Sequence, residues 1–142
     1  MRRFIRMATA AIEAERQRQI EAEGFDAARD DGYTERQLWA AGVCYFERAT
    51  LEVPAYPAPK GWPWAKRWWK PGTAERDLIR AGALMLAEID RMRRLKLSLG
   101  RAGKCLPTAA APGLHSRIVR LLAIIYRDRA ECAHASEGAH NG

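Results

Sequence analysis

Four prolines stand within ten residues, at Pro54, Pro57, Pro59 and Pro63. Each removes a backbone donor and biases the residue before it toward extended geometry, so no helix can run through this stretch. The 142-residue chain is thereby divided into two helical parts around one irregular segment. That segment and its continuation carry Tyr56, Trp62, Trp64, Trp68 and Trp69. A flexible linker would not hold five such side chains in water, where burying each large one is worth about 1.5–3 kcal/mol. The segment is expected to be ordered and packed across the helices.

On either side the apolar spacing is helical, and no strand can be argued. A first helix is expected from about Met7 to Glu23, with Thr9 as N-cap, Gly24 as stop, and a thin apolar face of Ile5, Ala8, Ile12 and Ala22. A second begins at Thr34, where Thr34-Glu35-Arg36-Gln37 matches a capping box, and runs to Ala49. The third follows Pro71-Gly72 with Thr73 as N-cap and continues to Gly100. It is apolar on two sides (Leu78, Ala81, Gly82, Met85, Ile89 and Met92; Ile79, Ala83 and Leu86), which places it at the centre of the core. Glycine inside a helix costs about 0.5–1 kcal/mol relative to alanine, so Gly82 is expected at a close helix contact. Residues 101–112 read as a loop. A fourth helix runs from about Leu114 to Ala133, with Ile118, Leu121, Leu122, Ile125 and Tyr126 inward, and residues 136–142 read as a frayed tail. The fold class is mainly α: one compact domain over residues 1–135, built of about four helices and an ordered Pro/Trp loop.

The length fits a single domain. A content of 48% hydrophobic and 29% charged residues excludes disordered and fibrous classes. No run approaches eighteen apolar residues, so no membrane partner is expected. The basic opening Met1-Arg2-Arg3 lacks the apolar core of a signal peptide, because Glu13, Glu15, Arg16 and Arg18 arrive too soon; a cytoplasmic location is expected. The cysteines, Cys44, Cys105 and Cys132, are odd in number, far apart and without a CxxC pair, which suits a reducing compartment. Cys132-Ala133-His134 offers too few ligands for a tetrahedral zinc site. Neither a metal nor another cofactor is expected.

The net charge of +7 is unevenly placed. Residues 1–59 carry eight Arg against ten Asp and Glu, residues 60–104 twelve Lys and Arg against four, and residues 105–142 four against three. A strongly basic middle attracts phosphate, on a polymer or on a small molecule.

Signals for catalysis are sparse. Helix-based carboxylate chemistry needs acidic residues three or four apart, yet Glu13/Glu15, Glu21/Glu23, Glu75/Asp77 and Glu88/Asp90 are two apart. Asp128/Glu131 is the one well-spaced pair inside an expected helix, where an all-α pyrophosphohydrolase would need two. There is no Walker loop, GxGxxG or nucleophile elbow. The chain is read as more a binding protein than an enzyme, with no catalytic residue assigned.

The Trp-rich segment interleaves Trp62, Trp64, Trp68 and Trp69 with Lys66, Arg67 and Lys70. Indoles can stack a base and cations can contact phosphate; equally, the indoles can pin the loop while the cations stay solvated. The turn from Gly24 to Tyr33 offers Asp30 and Asp31, either as turn-capping residues or as acceptors for amines and ribose hydroxyls. The amides after Thr73 form an anion-binding helix end, which Glu75 and Asp77 weaken and Arg76 partly offsets. The expected ligand-binding set is Asp30, Asp31, Tyr33, Trp62, Trp64, Lys66, Arg67, Trp68, Lys70 and Arg76.

Glu13-Ala-Glu-Arg16-Gln17-Arg18-Gln19, then Glu23-Gly24-Phe25, Asp30-Asp31, Trp62-Pro63-Trp64, Trp69-Lys70-Pro71 and Arg76-Asp77-Leu78 through Asp90-Arg91 resemble a family of small phage and prophage proteins, over residues 8–95. Gly24-Phe25, Arg29-Asp30-Asp31, Pro63-Trp64 and Arg76-Asp77 are also similar to the RyR repeat, the helical module of ryanodine receptors. In that module Phe25 stands where a Trp is usual, and the helix from Thr34 is inserted. The resemblance implies a cytoplasmic phage accessory protein that binds a small phosphorylated or nucleotide-like ligand and sequesters a host defence signal. The alternatives are an inhibitor that grips a host protein or nucleic acid through the basic middle, and the pyrophosphohydrolase. A homo-oligomer is expected if the last helix leaves an apolar face bare.

Overall fold

The computed structural model describes residues 1–24, 26–33, 36–99 and 110–140, with the backbone alone at 96–99 and 110. The Thr34 capping box, Phe25, Cys105 and most of the expected 101–112 loop lie outside the described residues. The described chain is mainly α. Its helices are α1 (Arg2–Glu23), α2 (Ala27–Asp31), α3 (Gln37–Thr50), α4 (Ala74–Leu99) and α5 (Ala110–His140), with one 3-10 turn at Lys66–Trp68. None of the described helices is long and apolar enough to cross a membrane.

α4 is the hub, in contact with each of the other four helices. Its two apolar sides explain this: Leu78, Ala81, Met85 on one and Ile79, Ala83, Ala87 on another are all buried. α3 contributes Leu38, Ala41, Cys44 and Tyr45, α1 contributes Ala8 and Ile12, and α5 contributes Ile118, Val119 and Leu122. Two bare backbones let helices approach. A Cβ on Gly82 would collide with Ile12 of α1, and one on Gly42 would meet the Met85 terminal methyl.

Several boundaries differ from the sequence expectation. α1 begins at Arg2, and Thr9 lies inside it with its hydroxyl donating to Ile5 O at 2.9 Å. Thr9 is therefore no cap. Gly24 does stop α1, in the left-handed region at φ 70°, with its N–H donating to Gln19 O. α2 was not expected; Asp26 caps it by accepting from Arg29 N at 2.9 Å. The tail is helical to His140, although every residue from 131 to 140 is exposed. Ala133, Ala135 and Ala139 carry it by intrinsic propensity.

The Pro/Trp segment packs on the body as expected, though not with all five aromatics. Trp69 is 2% exposed, stacked on Tyr45 with ring centroids 4.7 Å apart, and its Nε1 donates to Ala55 O at 2.7 Å. Trp62 meets both Tyr45 and Trp69 edge-on, and Trp64 edge-on at 5.4 Å. Tyr56 and Trp68 remain 65% and 52% exposed.

Candidate functional site

α1 has a polar continuation of its apolar stripe. Ala8, Ile12, Glu15 and Gln19 follow one another at spacings of four, three and four, which keeps them on one face. All four are buried. Beyond Ile12, where α1 meets Gly82, this face turns polar with Glu15 and Gln19. It walls a cavity of about 530 Å³, a size suited to a small molecule.

Three further walls close around it. α4 supplies Arg76, Arg80 and Leu84, spaced by four and so aligned in one stripe. The Pro/Trp segment supplies Trp62, Trp64, Ala65, Trp68 and Lys70; Tyr45 of α3 stands behind them. Arg18 and Glu23 of α1 and Arg29 of α2 complete the lining. The indole wall is tied in place by two hydrogen bonds: Trp62 Nε1 donates to Ala65 O at 3.2 Å and Lys70 N donates to Tyr45 Oη at 3.2 Å. Burial pushes the Tyr45 hydroxyl above its ordinary pKa, so it stays neutral. Trp68 stands apart at the rim, with the Lys70 ammonium 5.9 Å and the Arg67 guanidinium 5.4 Å from its ring centroid.

Five basic side chains face two carboxylates in this lining. Glu15 accepts from Arg18 at 2.8 and 2.9 Å and from Arg76 at 2.6 Å. Arg80 donates to the buried Asp77 at 3.1 Å and lies 5.8 Å over the Tyr45 ring. Lys70 forms no ion pair with a described residue. The cavity therefore joins flat aromatic faces to an excess of positive charge.

Of the residues expected from sequence, Trp62, Trp64, Trp68, Lys70 and Arg76 come together here. Asp30 and Asp31 do not line the cavity. Asp30 is fully buried and ion-paired with Arg16, and Asp31 pairs with Arg94 at 2.9 Å, so both tie α2 to its neighbours. Tyr33 packs against Trp64 at 5.3 Å and its hydroxyl accepts from Arg29 Nε at 3.1 Å, behind the wall. Lys66 and Arg67, in the 3-10 turn, are exposed and do not line the cavity. At the start of α4, the Thr73 hydroxyl accepts from Arg76 N at 3.2 Å, so the side-chain cap occupies an amide expected to face an anion. Asp128 and Glu131 are exposed beside Arg127 on α5.

Sequence reasoning missed Glu15, Arg18, Gln19, Glu23, Arg29 and Arg80. The signal for the first and third was present: they occupy positions of the α1 core stripe that apolar residues would fill. Among the described residues no group of His, Cys, Asp and Glu is arranged to hold a metal ion. No family model, no curated protein and no solved structure matches the chain.

Proposed function

We propose that the protein binds, and so sequesters, a small anionic molecule with a flat ring, of nucleotide type. The observation that carries this reading is the meeting of Trp62, Trp64 and Trp68 with Arg18, Arg29, Lys70, Arg76 and Arg80 around one cavity. Indole faces offer stacking to any base, and guanidinium and ammonium groups offer charge-assisted contacts to phosphate. A lipid tail would cover the cations of these walls and cut them off from water, which is costly. In this reading the cytoplasmic, phage-type accessory role implied by the resemblance is that of a nucleotide sink.

The test is indole fluorescence of the full chain titrated with AMP and ADP, together with native mass spectrometry of the purified protein for a retained small molecule. Quenching that saturates in wild type, and is lost in the Trp64→Ala/Lys70→Ala double variant with helicity intact, supports the reading. A shallow salt dependence is expected, because one small ligand displaces few counterions. A folded double variant that keeps full binding moves the site elsewhere. Steep salt dependence with preference for single-stranded nucleic acid would favour the polymer-binding alternative.

A further inference from the structure

Glu15 is out of keeping with its surroundings. It is 3% exposed on the wall of a cavity dominated by cations, where a carboxylate repels the anion the cavity is read to hold. Its bonding accounts for its presence. Oε2 accepts from Arg18 Nε at 2.9 Å and from Arg76 Nη2 at 2.6 Å, while Oε1 accepts from Arg18 Nη2 at 2.8 Å. One carboxylate thus holds guanidiniums from α1 and α4, whose contact spans 61 residues of sequence.

A guanidinium has five N–H donors. Arg18 uses Nε and Nη2, the latter also reaching Glu23 at 3.2 Å, which leaves its Nη1 hydrogens. Among the described residues Arg76 gives one side-chain bond, from its Nη2, and keeps Nε and Nη1. Both side chains are more than one-third exposed and line the cavity. Burial alone would raise the Glu15 pKa, but the hydrogen bonds and charges of Arg18 and Arg76 outweigh it and hold the carboxyl below its ordinary value. The carboxylate is therefore charged near neutral pH.

We infer that Glu15 is a positioning residue that holds Arg18 and Arg76 side by side as a two-guanidinium clamp for a terminal phosphate or a diphosphate. This rests on the anionic-ligand reading above and narrows it to ligands with two or three negative charges. With Asp77 paired to Arg80, the walls keep an excess of two positive charges, which such a group neutralises and a singly charged diester does not. Fixed, paired guanidiniums bind phosphate oxygens at less cost in side-chain freedom than loose ones.

The experiment is calorimetric titration of the full-length wild type, Glu15→Gln and Arg76→Lys with ADP, pyrophosphate and adenosine. Wild type should bind ADP at least tenfold more tightly than adenosine. Glu15→Gln removes a repelling charge, so simple electrostatics predicts tighter ADP binding; the clamp predicts at least tenfold weaker ADP and pyrophosphate binding, with adenosine changed less than twofold. Arg76→Lys keeps the charge and should still weaken ADP at least fivefold. Unchanged or tighter ADP binding by a folded Glu15→Gln overturns the clamp and leaves the cavity reading standing. Equal weakening of all three ligands reduces Glu15 to a structural tie and also overturns it. Should Glu15→Gln fail to fold, Arg76→Lys decides, and undiminished ADP binding by that variant is fatal to the clamp. A wild type that binds neither ADP nor pyrophosphate defeats the clamp and the cavity reading together.

Discussion

Ile12 of α1 lies over the bare backbone of Gly82 in α4, so closely that a Cβ built there would stand 2.6 Å from Ile12 Cδ1 and 2.8 Å from Cγ1. Alanine at position 82 would favour the helix intrinsically by roughly 0.5–1 kcal/mol. Overpacking a full core costs about 1–3 kcal/mol, and Ile12 has no exposed side from which to yield. Gly82→Ala should therefore destabilise, and Gly82→Leu more so. In an Ile12→Ala background Gly82→Ala should cost less than in wild type. Urea midpoints for the four corners of that cycle check the sign of the coupling.

Arg16 and Asp30 form a buried ion pair, with side chains 9% and 0% exposed. Burial pushes the Asp30 carboxyl above its ordinary pKa, and the charges of Arg16 and Arg94 oppose that. Removing the guanidinium leaves a buried carboxylate without its neighbour, so Arg16→Ala should cost about 3–5 kcal/mol. Arg93, 74% exposed and 3.9 Å from Asp90, should be replaceable by alanine at under about 1 kcal/mol. Chemical denaturation of both variants decides; equal losses would mean that burial of the first pair is immaterial.

Burial holds the His115 imidazole below its ordinary pKa of 6.5, and Glu13 offsets this only in part. The unfolded chain then binds the proton more readily than the folded one. Stability from this group is present at pH values above about 6.5 and falls as pH drops toward the depressed folded value. His115→Gln should lose less stability between pH 7.5 and 5 than wild type does. The difference between the two melting curves as a function of pH is the measurement.

Cys44 is buried, and its thiol is pushed up to about 11 by burial and by Glu47 nearby, whereas Cys132 is exposed. The thiolate is the reactive form. Iodoacetamide at pH 8 should alkylate Cys132 within minutes and leave Cys44 largely untouched in the native protein. Peptide mapping by mass spectrometry reads both positions. Comparable rates would contradict the burial of Cys44.

Where patterns of apolar residues decide structure, the sequence was legible. The central placement of α4 follows from its two apolar sides, the ordered Pro/Trp segment from the cost of solvating indoles, and the close contact at Gly82 from a glycine on a buried stripe. Elements that form without an apolar face were not legible. α2 has only five residues and rests on the Asp26 cap, too short for any periodicity. The outer end of α5 is exposed all round and has no apolar face to announce it. The candidate site divides in the same way. Its aromatic wall could be read from composition, while Glu15 and Gln19 were passed over because a polar residue on a core stripe interrupts the pattern that defines the stripe.

The cavity walls belong to segments that meet only when the chain is folded, with α1 and the start of α4 joined across it through Glu15 and Arg76. A molecule seated there has nothing to bind in the unfolded chain. Occupancy must then raise the melting temperature, by the equivalent of about 2.7 kcal/mol at a hundredfold excess over Kd. The protein thus reports its own ligand: a thermal-shift screen of metabolite pools, with no label and no assumption about chemistry, should rank candidates by how firmly they lock the first helix onto the fourth.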